Sequence, residues 1–282
     1  MYGRLLAPRR GCSLLLKALY RPKQAVFVRD ISVSRSVNSS DANWQARVDL
    51  AAAYRGFEMM NMHEGVCNHL SMMAPGKHGT GRVMLMIPYG LHWSEVTASC
   101  LIGVNESGQI IEGEGEIETS AAMIHLGVHK ARPDAICAFH LHPPYSTAIG
   151  CLKQPSFGMY HQNACRFYDD VAYDNNYSGY ATDEKEGCRT GRMLRDKVVL
   201  FMCNHGILVV GPDAQQTFDD TYYLERACMN QVLAMQTGQE LMEIPEEVCL
   251  MNKSLLEKPK YAAIHFNSIK RLLAKREPNF MA

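Results

Sequence analysis

The chain has 282 residues, 47% of them hydrophobic, and its 29 basic and 29 acidic side chains cancel to a formal net charge of zero. That length is enough to bury a full-sized core, as one large domain or two modest ones, and the composition argues against a disordered chain. The charge balance offers no polyanion-binding surface, so no nucleic-acid partner is expected, and no apolar run approaches the roughly 20 residues that cross a bilayer.

Residues 1–38 stand apart. Seven cations, Arg4, Arg9, Arg10, Lys17, Arg21, Lys23 and Arg29, precede the first acidic residue, Asp30, with leucines between them. An Arg-rich, acid-poor, Ser-containing leader is the pattern of a removable mitochondrial transit peptide. The alternative is a disordered basic tail on a cytoplasmic or cytoskeletal protein. The ten cysteines, Cys12 to Cys249, show no CxxC pair and no regular spacing, which predicts reduced, mostly buried thiols rather than a disulfide framework or zinc ribbon.

Ordered structure is expected to begin at "SSDANWQARVDLAAAYRGFEMMNM", a helix capped by Ser40 or Asp41 with Trp44, Val48, Ala51 and Ala52 on its inner face. Three strand-like runs follow, "VCNHLSMM", "RVMLMIPYG" and "ASCLIGVN", and then the acidic "EGEGEIE", read as a solvated loop. "TSAAMIHLGVHKA" has helical spacing, a cap at Thr119 or Ser120 and a stop at Arg132-Pro133. Its His125 is expected to pack inward and His129 to face solvent. A strand "AICAFH", a pair of apolar runs in "KVVLFMCNHGILVVG" broken at His205-Gly206, and a long helix from Asp213 complete the pattern. Strands alternating with helices predict a mixed sheet covered on both faces. The domain is placed at residues 39–243, with a charged, weakly periodic C-terminal extension over 244–282.

The apolar run "AICAFH" meets a double proline at His140-Leu141-His142. Strand side chains alternate between faces, so residues two apart present both imidazoles to one side, a chelating geometry. Neutral imidazole suits zinc and its neighbours, and a catalytic zinc takes three protein ligands and keeps one position open. His205, at the end of another buried run and followed by a glycine that permits a sharp turn, is the candidate third ligand. The competing reading of each is a satisfied core histidine.

"HLGVHKARPDAICAFHLHPPYSTAIG" followed by "VVLFMCNHGILVVG" resembles the class II aldolase/adducin family over most of residues 44–240. That resemblance implies a class II aldolase-like three-layer α/β/α domain with a central mixed/antiparallel β-sheet. It also implies one zinc or other divalent ion per chain on His140, His142 and His205, polarising a substrate carbonyl and stabilising an enediolate, and a homo-oligomer, commonly a tetramer. In the family a Pro-Ser-Ser-Glu precedes the helix histidine, its Glu serving as acid/base and metal ligand. Here the matching residues are Glu118-Thr119-Ser120-Ala121, so alanine stands where the carboxylate belongs and a step worth ~10²–10⁴-fold loses its group. Glu118 and Glu116 are the remaining carboxylate candidates. The family's phosphate cradle corresponds to Asn68-His69-Leu70-Ser71, Gly90 and Thr119-Ser120, which makes His69, Ser71, Gly90, Thr119 and Ser120 candidate anion or substrate contacts. The Asn-His pair is similar to the adducin branch. Tyr160-His161 falls in a loop that could border the pocket, and Tyr173, Tyr177 and Tyr180 lie in a polar stretch read as surface loop.

Two functions follow as expectations. One is a metal-dependent lyase acting on a small hydroxy-carbonyl compound, phosphorylated or not. The other is a non-catalytic, adducin-like assembly module that binds actin or spectrin, weakened by the modest basicity of the C-terminus.

Overall fold

A computed structural model of the protein describes residues 39–282 apart from 80, 178, 180–183 and 257–258. The expected leader and Tyr180 therefore lie outside the described residues. The first helix forms as α1 (Ser39–Met59), and the small and aromatic residues Ala51, Ala52, Tyr54 and Phe57 are fully buried. Its inner face is rotated from the one expected. Trp44 is 39% exposed while Arg47 is completely buried, because the guanidinium finds a full set of acceptors, including Glu112 at 2.7 Å.

Glu112 belongs to "EGEGEIE", so the start of that stretch is a buried anion rather than a solvated loop. It ends β4 of a strand series that runs β1 (His69–Pro75), β2 (Arg82–Met86), β3 (Ile102–Val104) and β4 (Ile110–Glu112). The helix α2 (Thr119–Ala131) follows, then β5 (Cys137–Leu141), α3 (Pro144–Gly150), β6 (Val171–Asp174) and α4 (Glu184–Leu194). The hairpin strands β7 (Val199–Met202) and β8 (Gly206–Gly211) lead into α5 (Ala214–Met235). All eight strands form one sheet in the order β4-β3-β2-β1-β5-β8-β7-β6, antiparallel at every pairing except β6 with β7.

Alternation along the strands sorts the core into two sides. Leu70, Val83, Phe139 and Leu141 pack with α1 and α5, whereas Ala138, Leu208 and Val210 pack with Ile124 and Val128 of α2 and Leu194 of α4. The result is the three-layer α/β/α architecture of the expected class. On the second side α2 and α4 touch backbone to backbone. A Cβ on Gly187 would overlap the carbonyl of Met123, and one on Gly127 would overlap the backbone of Gly187.

The last forty residues are helical as α6 (Glu246–Leu256) and α7 (Pro259–Arg276). Phe266, Leu273 and Phe280 are buried in the same core as Phe57 and Phe218, so residues beyond 243 complete the helical layer over α1 and α5. Of the nine described cysteines, all are unpaired, five are buried, and Cys67 and Cys151 are exposed. Among the described residues no helix is long and apolar enough to cross a membrane.

Candidate metal centre

His140 is the penultimate residue of β5, opposite His69 on β1 and Leu208 on β8. His142 lies just past the strand and His205 in the turn between β7 and β8, and their ring centroids are 4.7 Å apart, the same separation as His140 and His205. One donor nitrogen from each of the three lies within 4.8 Å of the others. The turn that delivers His205 owes its shape to Asn204, in the left-handed region at φ 59, a conformation asparagine tolerates better than most residues. Gly206 contributes room instead, since a Cβ there would collide with the His142 ring and with the carbonyl of Leu141.

The outer nitrogens of two rings are engaged. His140 Nδ1 donates to the Ile207 carbonyl at 2.9 Å and His142 Nδ1 pairs with Glu64 at 2.6 Å. With both rings neutral, their Nε2 atoms are left as acceptors, facing each other at 3.0 Å. Two lone pairs at that separation repel, and a cation between them removes the conflict. Carbonyl and carboxylate partners on the far nitrogen are also what orient metal-binding imidazoles. Burial, reinforced by the neighbouring rings, holds His140 well below the ordinary histidine range, and burial with the adjacent His142 lowers His205 to about 4. His140 and His205 are therefore neutral at physiological pH, the form that ligates, and the three-histidine set fits a divalent ion of the zinc type. Asn68 supports the loop: its Oδ1 accepts the N–H groups of Glu64 and His142.

His142 and His205 line a cavity of about 630 Å³, with the buried His140 behind them, and His69, Ser120, Tyr177 and Arg189 also form its wall. The other candidates scatter. Ser71 is fully buried, Thr119 and Gly90 are exposed and outside the cavity lining, and Tyr160-His161 is likewise elsewhere, with His161 capping a short 3-10 turn. Glu116 is exposed. Glu118 caps α2, a role expected of Thr119 or Ser120, by accepting from Ala121 N–H and Ser120 Oγ at 2.6 Å each. Burial raises its pKa, but these bonds outweigh burial and leave it below the usual carboxylate value. Ala121 is 1% exposed against Met84, Met86 and Ile102, so no acid/base group occupies its place.

Two features escaped the sequence. Tyr177, read as surface loop, places its ring 6.0 Å from that of His205, and nothing in its local pattern signals this. His129, expected in solvent, turns inward. Its Nε2 is 2.8 Å from Ser71 Oγ and its Nδ1 donates to the Ala135 carbonyl at 2.9 Å. A helical i, i+4 spacing from the buried His125 is the signal that could have placed it.

Comparison with known proteins agrees with this fold. Residues 48–232 match the family described as the class II aldolase and adducin N-terminal domain, and the chain belongs to that family. It is 34% identical over 210 residues to a Pseudomonas aeruginosa protein named "putative aldolase class 2 protein", covering 74% of this chain and 79% of that one. It is 32% identical over 236 residues to mouse alpha-adducin, covering 82% of this chain and 31% of adducin. Among solved structures, the L-fuculose 1-phosphate aldolase of Glaciozyma antarctica PI12 superposes with a TM-score of 0.74 at 25% identity, over 86% of this chain and 95% of that one.

Proposed function

We propose that the protein is a divalent-metal-dependent lyase of aldolase type, acting on a small hydroxy-carbonyl compound. The observation that carries this is the convergence of His140, His142 and His205, with the outer nitrogens of His140 and His142 already held by Ile207 and Glu64. A zinc-type ion on these three imidazoles would supply Lewis-acid polarisation of a carbonyl. The chain's own residues do the rest. Glu64 and the Ile207 carbonyl fix the ring tautomers, Asn68 locks the loop that carries His142, and the cavity wall of Tyr177 and Ser120 offers hydroxyl groups to a polar substrate. The name of the Glaciozyma relative supports a sugar-derived substrate class.

The test is elemental analysis of purified protein beside a His140→Ala, His205→Ala variant. One divalent ion per chain, absent from the variant, is the expected result, followed by a screen for retro-aldol cleavage. No stoichiometric metal in the wild type ends the reading.

Ala121 favours a second reading, an adducin-like assembly module with no turnover, which alpha-adducin among the relatives also supports. Co-sedimentation with filamentous actin at micromolar protein separates the two. For the leader we propose mitochondrial import, tested by fusing residues 1–38 to a fluorescent reporter and scoring its location. For assembly we propose a homo-oligomer, tested by light scattering.

A further inference from the structure

Behind the cavity runs a line of hydrogen bonds with a single direction. It starts at the Ala135 carbonyl, which can only accept, so His129 Nδ1 carries a proton at 2.9 Å. A neutral His129 then has a bare Nε2, and its 2.8 Å contact takes the Ser71 hydroxyl proton in preference to the Ala138 carbonyl, which lies at 3.5 Å. Serine has one proton. Ser71 must therefore accept from His125 Nδ1, at 2.5 Å, which leaves His125 Nε2 bare to accept from His69 Nδ1 at 2.8 Å. His69 is left with a bare Nε2. The chain rests on simple periodicities: His69 and Ser71 are two apart on β1, and His125 and His129 are four apart on α2, so each pair shares one face.

Neutrality of all three rings follows from burial. His69 and His125 are 6% and 0% exposed, and burial is the leading cause that lowers His129 to about 4. His69 lines the cavity of the metal centre without belonging to the triad.

We propose that His69 is a specificity-setting residue whose Nε2 is locked as a hydrogen-bond acceptor by the relay through His125, Ser71 and His129 to the Ala135 carbonyl. The group it receives is a hydroxyl of the bound compound, not an oxygen of a carboxylate or of a fully ionised phosphate ester, which has no proton to give. A second observation agrees. Arg189, the one cationic side chain among the described lining residues, is held by Asp174 at 2.5 Å and Glu186 at 2.6 Å, both of which also line the cavity. The site thus suits an uncharged polyhydroxy carbonyl compound. The substrate assignment rests on the lyase reading above, whereas the relay does not.

The test is nitrogen-15 magic-angle-spinning NMR of the full chain with labelled histidine, with His69 assigned by difference from a His69→Asn variant. At neutral pH His69 is expected as the Nδ1–H tautomer. An Nε2–H tautomer or an imidazolium at His69 overturns the proposal. Ser71→Ala cuts the relay without touching the cavity wall and should release His69 toward the Nε2–H form, while His265, which pairs with Asp219 elsewhere, stays unchanged. An unaltered His69 in that variant also overturns it, and the wild-type measurement stands if the variant fails to fold. Dihydroxyacetone should perturb the His69 Nε2 signal and acetate, which has no proton to give at neutral pH, should not, with the affinity for dihydroxyacetone falling about fivefold in Ser71→Ala, the worth of one hydrogen bond. The reverse preference overturns the specificity. A chain with no metal but an Nδ1–H His69 supports the relay and ends the lyase reading alone, so the two failures are distinguishable.

Discussion

Replacing Glu112 by Gln removes the charge partner of Arg47, whose side chain is 0% exposed against 5% for Glu112. Arg47 has three bonds to lose or keep: Nε to Asn43 Oδ1 at 2.7 Å, Nη1 to the Leu101 carbonyl, and Nη2 to Glu112. Glu112 in turn accepts from Lys77 N–H and from Asn43. Burial works against its charge, yet these donors outweigh it and hold the carboxyl below the ordinary glutamate value. Breaking a buried pair by removing one partner strands an uncompensated charge and costs about 3–5 kcal/mol. With a urea slope of roughly 3 kcal/mol/M, the midpoint should fall by about 1–1.7 M, measured at matched protein concentration because assembly shifts apparent stability. The Glu112→Gln, Arg47→Met double variant should lose at least about 1 kcal/mol less than the two singles summed, since both test one contact. Metal content should not change, because β4 is the far edge strand, four positions from β5. A loss below about 1 kcal/mol for Glu112→Gln, or strict additivity, would show that the pair is not the buried junction described.

Glu64→Gln should lower metal affinity by about 10–100-fold, read by competition with a chelator, because the partner of His142 Nδ1 loses its charge; unchanged affinity argues that Glu64 has no part in the centre. Gly187→Ala should lower thermal stability by about 1–3 kcal/mol, since the overlap with Met123 outweighs the ~1 kcal/mol gained in helix propensity; a stabilised variant contradicts the α2–α4 contact. His129 is depressed to about 4 by burial, with the Arg82 charge adding to it, so its linkage acts between pH ~6.5 and ~4. The unfolded chain takes up the proton there and the folded one resists, so stability falls as pH drops, by roughly 3 kcal/mol in all. Denaturant titrations of His129→Phe against wild type should show a smaller loss over that window.

How much was legible follows from what each element needed. The α2 span, the β5 run and the break between β7 and β8 were readable because their apolar periodicity is local and their ends carry proline, glycine or asparagine. His140 and His142 were readable as a pair because strand geometry alone places them together. His205 could be proposed only because a buried run ended there, and its 4.7 Å approach to both rings depends on β8 pairing with β5.

The remainder depended on contacts between residues distant in the chain. Arg47 and Glu112, 65 positions apart, each look like surface charges in their own segments, and only pairing makes their burial affordable. His129 and Ser71 are ordinary helix and strand polar residues until α2 lies across β1. The C-terminal helices carry too weak a pattern to announce that Phe266 and Phe280 close the core. Periodicity records which way a side chain points along its own element, so the sequence by itself determined α1, α2, β5, α5 and the break between β7 and β8, the layered class and the pairing of His140 with His142. Which neighbour each polar group meets is set by the packing of whole elements, so the tertiary structure alone decided the approach of the third histidine, the buried ion pair and the line of hydrogen bonds from His69 to His129.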